Sequence, residues 1–315
     1  MYSNMKAVRI YEYGDPGVLR YEEAPLPLIG ADEVLVRVHS AAVNPADCQI
    51  RRGDYRHLMP RPLPFIPGWD AAGIVEVVGS AVSSWVPGAR VFAMADMSRD
   101  GAYAEFLAVR AAHLAPAPAT LPLEQAAGVP LAALTAWKAL FDEGGLQRGQ
   151  TILVHAGAGG VGQFAIQLAR RAGARVLATA SAQHAELVRS LGADEVIDYR
   201  AVDFRTRARD LDLVIDTVGG ETRERSWNTL RRGARLIAVA MPPPDEAAAS
   251  AAGVVGRMVA VMPDGARLAR ISELIDKQEL RVVIDREFPL VQAAEAHRRS
   301  EGRHARGKII LRIAS

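Results

Sequence analysis

The apolar positions of this chain change their spacing near its middle. In the first part, Lys6-Ala-Val-Arg-Ile10 and Glu33-Val-Leu-Val-Arg-Val38 alternate, or nearly alternate, apolar and polar residues. Pro16-Gly17, Pro67-Gly68 and Pro87-Gly88 punctuate them, which predicts a compact all-β region of short strands. From about Leu121 the texture becomes helical, and the strongly apolar run from Ala126 to Phe141 is closed by Gly144-Gly145. Strands and helices then alternate. Strands are expected at Thr151–Val154, Arg175–Thr179, Glu195–Ile197, Leu211–Asp216 and Arg235–Val239, with a helix from about Ala182 to Leu191 stopped by Gly192. Such alternation predicts a parallel sheet covered on both faces. Met241-Pro-Pro-Pro-Asp245 reads as a loop. A helix over Gly265–Ile275, a strand near Arg281–Ile284 and a last strand at Lys308–Ile313 complete the pattern, without internal repeats.

The most informative stretch joins the first two strands of that alternation. Gly157-Ala-Gly-Gly-Val-Gly162 follows the Thr151–Val154 run directly. It opens a segment with apolar residues at Val161, Ala165, Leu168 and Ala172, and Gly173 stands where a left-handed cap ends a helix. A G-x-G-x-x-G in a strand–turn–helix–strand context is a dinucleotide-binding signature. In that reading Gly157 allows the tight turn, Gly159 and Gly160 let the backbone approach a pyrophosphate, and Gly162 lets helix and strand pack closely. Val161 opens the helix, whose N-terminus offers N–H groups and a positive dipole end to the phosphates.

Composition narrows the class. With 315 residues the chain is long enough for two domains, and half of its residues are hydrophobic. The formal charge is only +2, and basic clusters such as Arg205-Thr-Arg-Ala-Arg209 lack interleaved aromatics, so they read as solvated faces rather than a nucleic-acid surface. No apolar stretch suits a membrane span, and Met1-Tyr-Ser-Asn-Met-Lys6 lacks the apolar core of a signal peptide. One cysteine, Cys48, rules out an internal disulfide and reads as a small buried hydrophobe. A cytoplasmic enzyme is expected.

Further stretches carry a resemblance: Asn44-Pro-Ala-Asp47, Ile66-Pro-Gly-Trp-Asp-Ala-Ala-Gly73, Gly101-Ala-Tyr-Ala-Glu105, Leu134-Thr-Ala-Trp137, Leu191 to Arg200, Asp216-Thr-Val-Gly-Gly220 and Arg306-Gly-Lys-Ile-Ile310. Together with the mid-chain glycine motif they resemble the medium-chain dehydrogenase/reductase superfamily, in its zinc-free quinone oxidoreductase (zeta-crystallin-like) branch, over nearly the whole chain. The resemblance implies an α/β protein: a Rossmann-type doubly wound parallel sheet over residues 126–263, and a chaperonin-10-like (GroES-like) β domain over 1–125, rejoined by 264–315. It also implies an active site in the cleft between the domains and a homodimer.

The zinc-dependent alcohol dehydrogenases of that superfamily present a Cys, then a Gly-His-Glu, as ligands. Here the corresponding stretches read Val43-Asn44-Pro45 and Gly68-Trp69-Asp70, and His39, His57 and His113 lack ligand spacing, so no metal is expected. Without a Lewis acid the chemistry left is hydride delivery from a reduced nicotinamide to an electron-poor acceptor, a quinone or an α,β-unsaturated carbonyl.

An NAD-preferring fold carries an Asp or Glu after its second strand. This chain has Thr179-Ala-Ser-Ala-Gln-His184, and Ser181 and His184 suit a 2′-phosphate, as NADPH requires. Ser181 as an N-cap and His184 as a solvated helix residue is the competing reading. The resemblance places Tyr199 against the same phosphate or the adenine, with Arg200 beside it. It places Asn44 on the nicotinamide side of the cleft and Asp47 on the same segment. Tyr55 is either a hydrogen-bond donor to the reduced oxygen or a wall residue. Thr135 either lines the nicotinamide pocket or turns inward from its helix. Thr217, Val218, Ala240 and Met262 lie at or past the ends of apolar runs, where ligands bind in open α/β sheets. Lys308 is either a cleft lysine near the cofactor or a charge flanking the last strand. Catalysis is thus expected of Asn44, Tyr55 and Thr135. An enoyl-thioester reductase and a non-catalytic NADPH-binding protein are the alternatives.

Overall fold

The alternating N-terminal runs do form strands. In the computed structural model, which describes residues 4–302 and 305–313, β1 (Asn4–Arg9) and β2 (Arg20–Pro25) make an antiparallel pair. Strand β3 (Glu33–Val43) runs past the expected Val38, because Ser40–Val43 are also buried and paired. Helix α1 (Pro45–Arg52) starts on a proline, whose missing N–H costs nothing in a first turn, and ends on left-handed Gly53. Then come β4 (Asp70–Val78), β5 (Arg90–Met94), β6 (Phe106–Arg110) and β7 (Leu114–Pro116). The single helix expected from Ala126 to Phe141 is broken into α2 (Leu123–Ala126) and α3 (Pro130–Trp137), followed by a π-helical turn over Lys138–Glu143. Pro130 has no N–H with which to continue α2, so the chain restarts there.

The strand–helix alternation follows as β8 (Thr151–Val154), α4 (Gly162–Arg171), β9 (Arg175–Ala180), α5 (Ala185–Ser190), β10 (Glu195–Asp198), β11 (Leu211–Asp216), α6 (Gly220–Ser226), β12 (Leu230–Ala238), α7 (Glu246–Ala251) and β13 (Val255–Met258). All neighbouring pairs are parallel, in the order β10-β9-β8-β11-β12-β13. Two halves thus wind outward from β8 and β11, and the order reverses between them. This is the doubly wound arrangement that places ligands beyond the carboxyl ends of the strands at the reversal. The pattern gave no sign of α7 or β13, because Val255-Gly-Arg-Met258 is an edge strand with no fully buried residue.

The chain then supplies α8 (Gly265–Asp276), β14 (Ile284–Pro289), α9 (Ala293–Glu301) and β15 (Lys308–Arg312). The strand expected near Arg281 begins only at Ile284. Residues 279–281 are held instead to the parallel-sheet unit: the Arg281 N–H donates to Gln167 at 2.9 Å and its guanidinium to Ser190 Oγ at 2.7 Å. Strand β15 pairs antiparallel with the Ser40–Val43 end of β3, within a sheet ordered β14-β15-β3-β4-β5-β7 that also takes β6 on β3. Two compact units result. One comprises Met1–Leu131, Met262–Gln278 and Val282–Ser315, the other Ala132–Val261 with Glu279–Arg281. Among the described residues no helix is long and apolar enough to cross a membrane.

Candidate functional site

In the first unit, β3 ends at Val43 and α1 begins at Pro45, so Asn44 sits at their junction, opposite the start of β4 and of β15. Its side chain is buried with both ends engaged: Nδ2 donates to Asp70 Oδ2 at 2.9 Å, and Oδ1 accepts from Lys308 Nζ. The Lys308 ammonium also donates to Asp70 Oδ2, at 3.1 Å, and the other Asp70 oxygen accepts the Leu131 N–H at 2.6 Å, in the first turn of α3. Asp70 is 0 % and Lys308 2 % exposed. A buried charge pair persists only when its remaining donors and acceptors are met, and a carboxylate at a helix N-terminus gains from the dipole as well. Lys308 is therefore no surface charge flanking a strand. It is the cationic centre of a closed polar cluster.

Asp47, one turn into α1, accepts the Asn44 backbone N–H at 2.6 Å. It is wholly buried, and through this bond it fixes the geometry of Asn44. Burial, and secondarily the Asp70 charge, push its carboxyl up to about 7, against the Asn44 hydrogen bond, which favours the ion. The Tyr103 hydroxyl lies 3.4 Å from Asp47 Oδ2 and 3.1 Å from His297 Nε2. Burial and the neighbouring Arg51 charge lower His297 to about 3, so the ring is neutral. Cys48 is buried, and burial raises its thiol to about 12, which makes it a packing residue. Tyr55 is half-buried against the same core, and its hydroxyl donates to Gln49 Oε1 at 3.0 Å. Burial raises its phenol above the ordinary value.

These residues do not suit a catalytic zinc. Where the imidazole ligand would stand is the indole of Trp69, fully buried, and a cation beside Asp70 would face the Lys308 ammonium. No group of three or more His, Cys, Asp or Glu side chains that could hold a metal occurs among the described residues.

In the second unit the glycine motif forms the expected turn, but with a different division of labour. The left-handed residue is Ala156 (φ 48°), not Gly157. A Cβ on Gly157 would lie 2.9 Å from Ile166 Cδ1 and 3.0 Å from Ala178 Cβ, so this glycine allows helix α4 to pack on β9. A Cβ on Gly162 would lie 2.3 Å from the Ala156 carbonyl oxygen, so the tight turn depends on Gly162. Gly159, Gly160 and Val161 are partly exposed at the start of α4. That bare backbone at a helix N-terminus suits a pyrophosphate.

The other candidates of this unit stand at the ends of neighbouring parallel strands: Ser181 and His184 after β9, Tyr199 after β10, Thr217 and Val218 after β11, Ala240 after β12. The ends are tied together. Gly157 N–H donates to the Thr179 carbonyl at 2.8 Å, and Thr217 Oγ1 to the His155 carbonyl at 2.8 Å. Ser181 is buried and makes no side-chain cap bond, whereas Tyr199 is 53 % exposed beneath the Arg200 guanidinium, 5.7 Å from the ring centroid. No carboxylate occupies 179–184. Thr135 is buried on α3. Met262 follows the end of β13 and is exposed.

Several residues that shape both sites escaped the sequence reading. Asp216 and Arg223 form a buried ion pair at 2.6 Å, and the same carboxylate accepts the Val218 and Gly219 N–H groups while Arg223 donates to the Ala240 and Pro242 carbonyls. His155 bridges Thr179 Oγ1 (3.2 Å) and Ser226 Oγ (2.9 Å), and burial lowers it to about 4. Asp216 and Asp70 were visible within quoted motifs. Tyr103 also stood in one, Gly101-Ala-Tyr-Ala-Glu105, but nothing local marked its role or those of His297 and His155, whose partners are far away in sequence.

Comparison with known proteins agrees with this geometry. Residues 30–119 match the alcohol dehydrogenase GroES-like domain and residues 191–311 the zinc-binding dehydrogenase family. The chain is 35 % identical to the NADPH-dependent alkenal/one oxidoreductase, chloroplastic, of Arabidopsis thaliana, over 98 % of this chain and 79 % of the relative. It is 32 % identical to the quinone oxidoreductase of Mus musculus, over 98 % and 97 %. The quinone oxidoreductase structure from Coxiella burnetii superimposes with a TM-score of 0.91 at 30 % identity, over 99 % of this chain and all of that one. The chain belongs to the medium-chain dehydrogenase/reductase superfamily, in its quinone oxidoreductase branch.

Proposed function

We propose that this protein is an NADPH-dependent, zinc-independent oxidoreductase that transfers hydride to a quinone or an α,β-unsaturated carbonyl. The observation that carries the reading is the buried Asn44–Asp70–Lys308 cluster, which draws Asn44 and Asp70, from the two stretches where zinc-dependent relatives carry ligands, into an ion pair with a lysine beside the buried Trp69. Its residues offer no Lewis acid to lower the pKa of an alcohol, so the acceptor itself must be electron-poor. The names of the Arabidopsis and Mus musculus relatives support these acceptor classes.

When bound, the reduced nicotinamide supplies the hydride. Gly157, Gly159, Gly160 and Val161 would hold the pyrophosphate, and Ser181, His184, Tyr199 and Arg200 the 2′-phosphate and adenine, with no carboxylate at 179–184 to repel the phosphate. Thr217, Val218 and Ala240 would floor the site, and Asn44, Thr135, Met262 and Lys308 would lie toward the nicotinamide. Tyr55 serves as donor or wall to the acceptor. The fully buried single cysteine accords with a cytoplasmic setting, and the homodimer rests on the family resemblance.

The test is NADPH oxidation against quinones, 2-alkenals and enoyl thioesters side by side, with and without a chelator. Chelator-independent turnover of a quinone or alkenal is expected. Metal-dependent oxidation of simple alcohols, or turnover of thioesters alone, would overturn the proposal.

A further inference from the structure

Arg61 lies in the turn-rich 53–64 segment between α1 and β4, in the stretch that separates Tyr55 from Asp70. Its guanidinium is fixed on three sides. Nη1 donates to the Arg99 carbonyl at 2.9 Å, and the group stacks over the rings of Trp69 (4.8 Å to the centroid) and Phe65 (5.1 Å). The remaining edge, Nε and Nη2, is shielded from water and has no hydrogen-bond partner. The carboxylates in its field bond to other groups: Asp100 accepts the Ile66 N–H at 2.8 Å, Asp96 the Ser98 N–H and hydroxyl, and Asp47 the Asn44 N–H at 2.6 Å. Burial lowers the Arg61 pKa, as expected of a cation without a counter-ion.

A buried donor without an acceptor is costly, more so when it is charged, so two on one edge call for an explanation. The edge is the one that grips carboxylates bidentately. Arg299 of this same chain holds Asp285 in that way, Nε to Oδ2 at 2.8 Å and Nη2 to Oδ1 at 2.8 Å. Arg61 presents the same fork, already stacked and anchored, without a protein partner on its Nε and Nη2.

We propose that the Nε/Nη2 edge of Arg61 is a carboxylate-binding fork that selects electron acceptors bearing a carboxylate near the reducible double bond. The inference rests on the reductase reading for the identity of its ligand as an acceptor. Because the fork is shielded, a bound carboxylate loses its water and a neutral ester cannot replace it.

The experiment compares 4-oxo-2-pentenoate with its methyl ester in the wild-type protein, Arg61→Met and Arg61→Lys. Methionine keeps an apolar stem over Trp69, and lysine keeps the charge but not the fork. Wild-type kcat/KM is expected to favour the acid by about tenfold or more, the scale of one charged hydrogen-bonded contact. The preference should vanish in Arg61→Met and return only partly in Arg61→Lys. No preference in the wild type, or an undiminished one in Arg61→Met, overturns the fork. A second readout uses the saturated, non-reducible 4-oxopentanoate and follows tryptophan fluorescence. If neither quinones nor enones are turned over, the reductase reading fails, yet binding of 4-oxopentanoate that is lost in Arg61→Met still supports the fork. Equal binding to both proteins, or none to either, refutes it.

Discussion

Replacing Lys308 by methionine tests whether the buried cluster is held by its charge balance. The perturbation removes one ammonium and little volume, and leaves Asp70 at 0 % exposure with only the Leu131 N–H and the Asn44 amide as partners. Breaking a buried pair from one side costs about 3–5 kcal/mol, because the uncompensated charge stays in a poorly solvating interior. At about 2–4 °C per kcal/mol for a cooperative unit of roughly 150–250 residues, the melting temperature should fall by about 6–20 °C. The cost lies in the stranded charge rather than in a lost attraction. Removing both charges, as in Lys308→Met with Asp70→Asn, should therefore recover most of the loss, since a neutral pair of similar volume is often nearly as stable. The amide oxygen that replaces Asp70 Oδ1 would still accept the Leu131 N–H, and after a flip of the Asn44 amide the new NH2 donates to Asn44 Oδ1, which Lys308 no longer occupies. Urea unfolding of the wild type, both single variants and the double variant gives the coupling energy directly. A coupling below about 1 kcal/mol, or a double variant as unstable as the sum of the singles, would refute the argument.

Other outcomes follow from the same reasoning. His155 and His297 are held neutral, at about 4 and about 3, so the unfolded chain binds their protons first and stability should fall as the pH drops below about 6.5. Asp47, raised to about 7, acts with the opposite sign: the folded state takes up its proton first, which stabilises as the pH falls from about 7 toward 4. Asp47→Asn should thus steepen the loss of melting temperature between pH 7 and 5, and an unchanged slope would contradict the assignment. Gly162→Ala should destabilise the fold by more than about 2 kcal/mol, since its Cβ would meet backbone at 2.3 Å, whereas Gly159→Ala, whose Cβ meets only the Ala156 oxygen at 3.1 Å, should fold nearly normally. Titration with NADPH should then show weaker binding to the folded Gly159→Ala protein. Arg200→Met should lower affinity for NADPH about tenfold while sparing NADH, the scale of one phosphate contact. Equal affinities of the wild type for the two cofactors would sink the preference.

Local pattern determined much of this protein. Period-two runs, the proline–glycine punctuation and the strand–glycine–helix unit specify their elements through contacts within a few residues, so they can be read without the rest of the chain. The absence of a carboxylate at 179–184 and of a histidine at Trp69 is likewise plain in the sequence. Tertiary structure decided what those residues do. It brought Lys308 onto Asn44 through the pairing of β15 with β3, and so turned a lysine at a strand's edge into a buried counter-ion. It gave the tight turn to Gly162 and the helix packing to Gly157, because the space around each depends on Ala156, Ile166 and Ala178. The edge strand β13 gave no sign because an edge buries little and needs little hydrophobicity. The ion pair of Asp216 with Arg223, the His297–Tyr103–Asp47 contacts and the open fork of Arg61 depend on where distant segments meet. Burial and charge pairing arise only when separated parts of the chain exclude water together. For that reason the nucleotide seat was legible in one dimension, and the polar clusters required three.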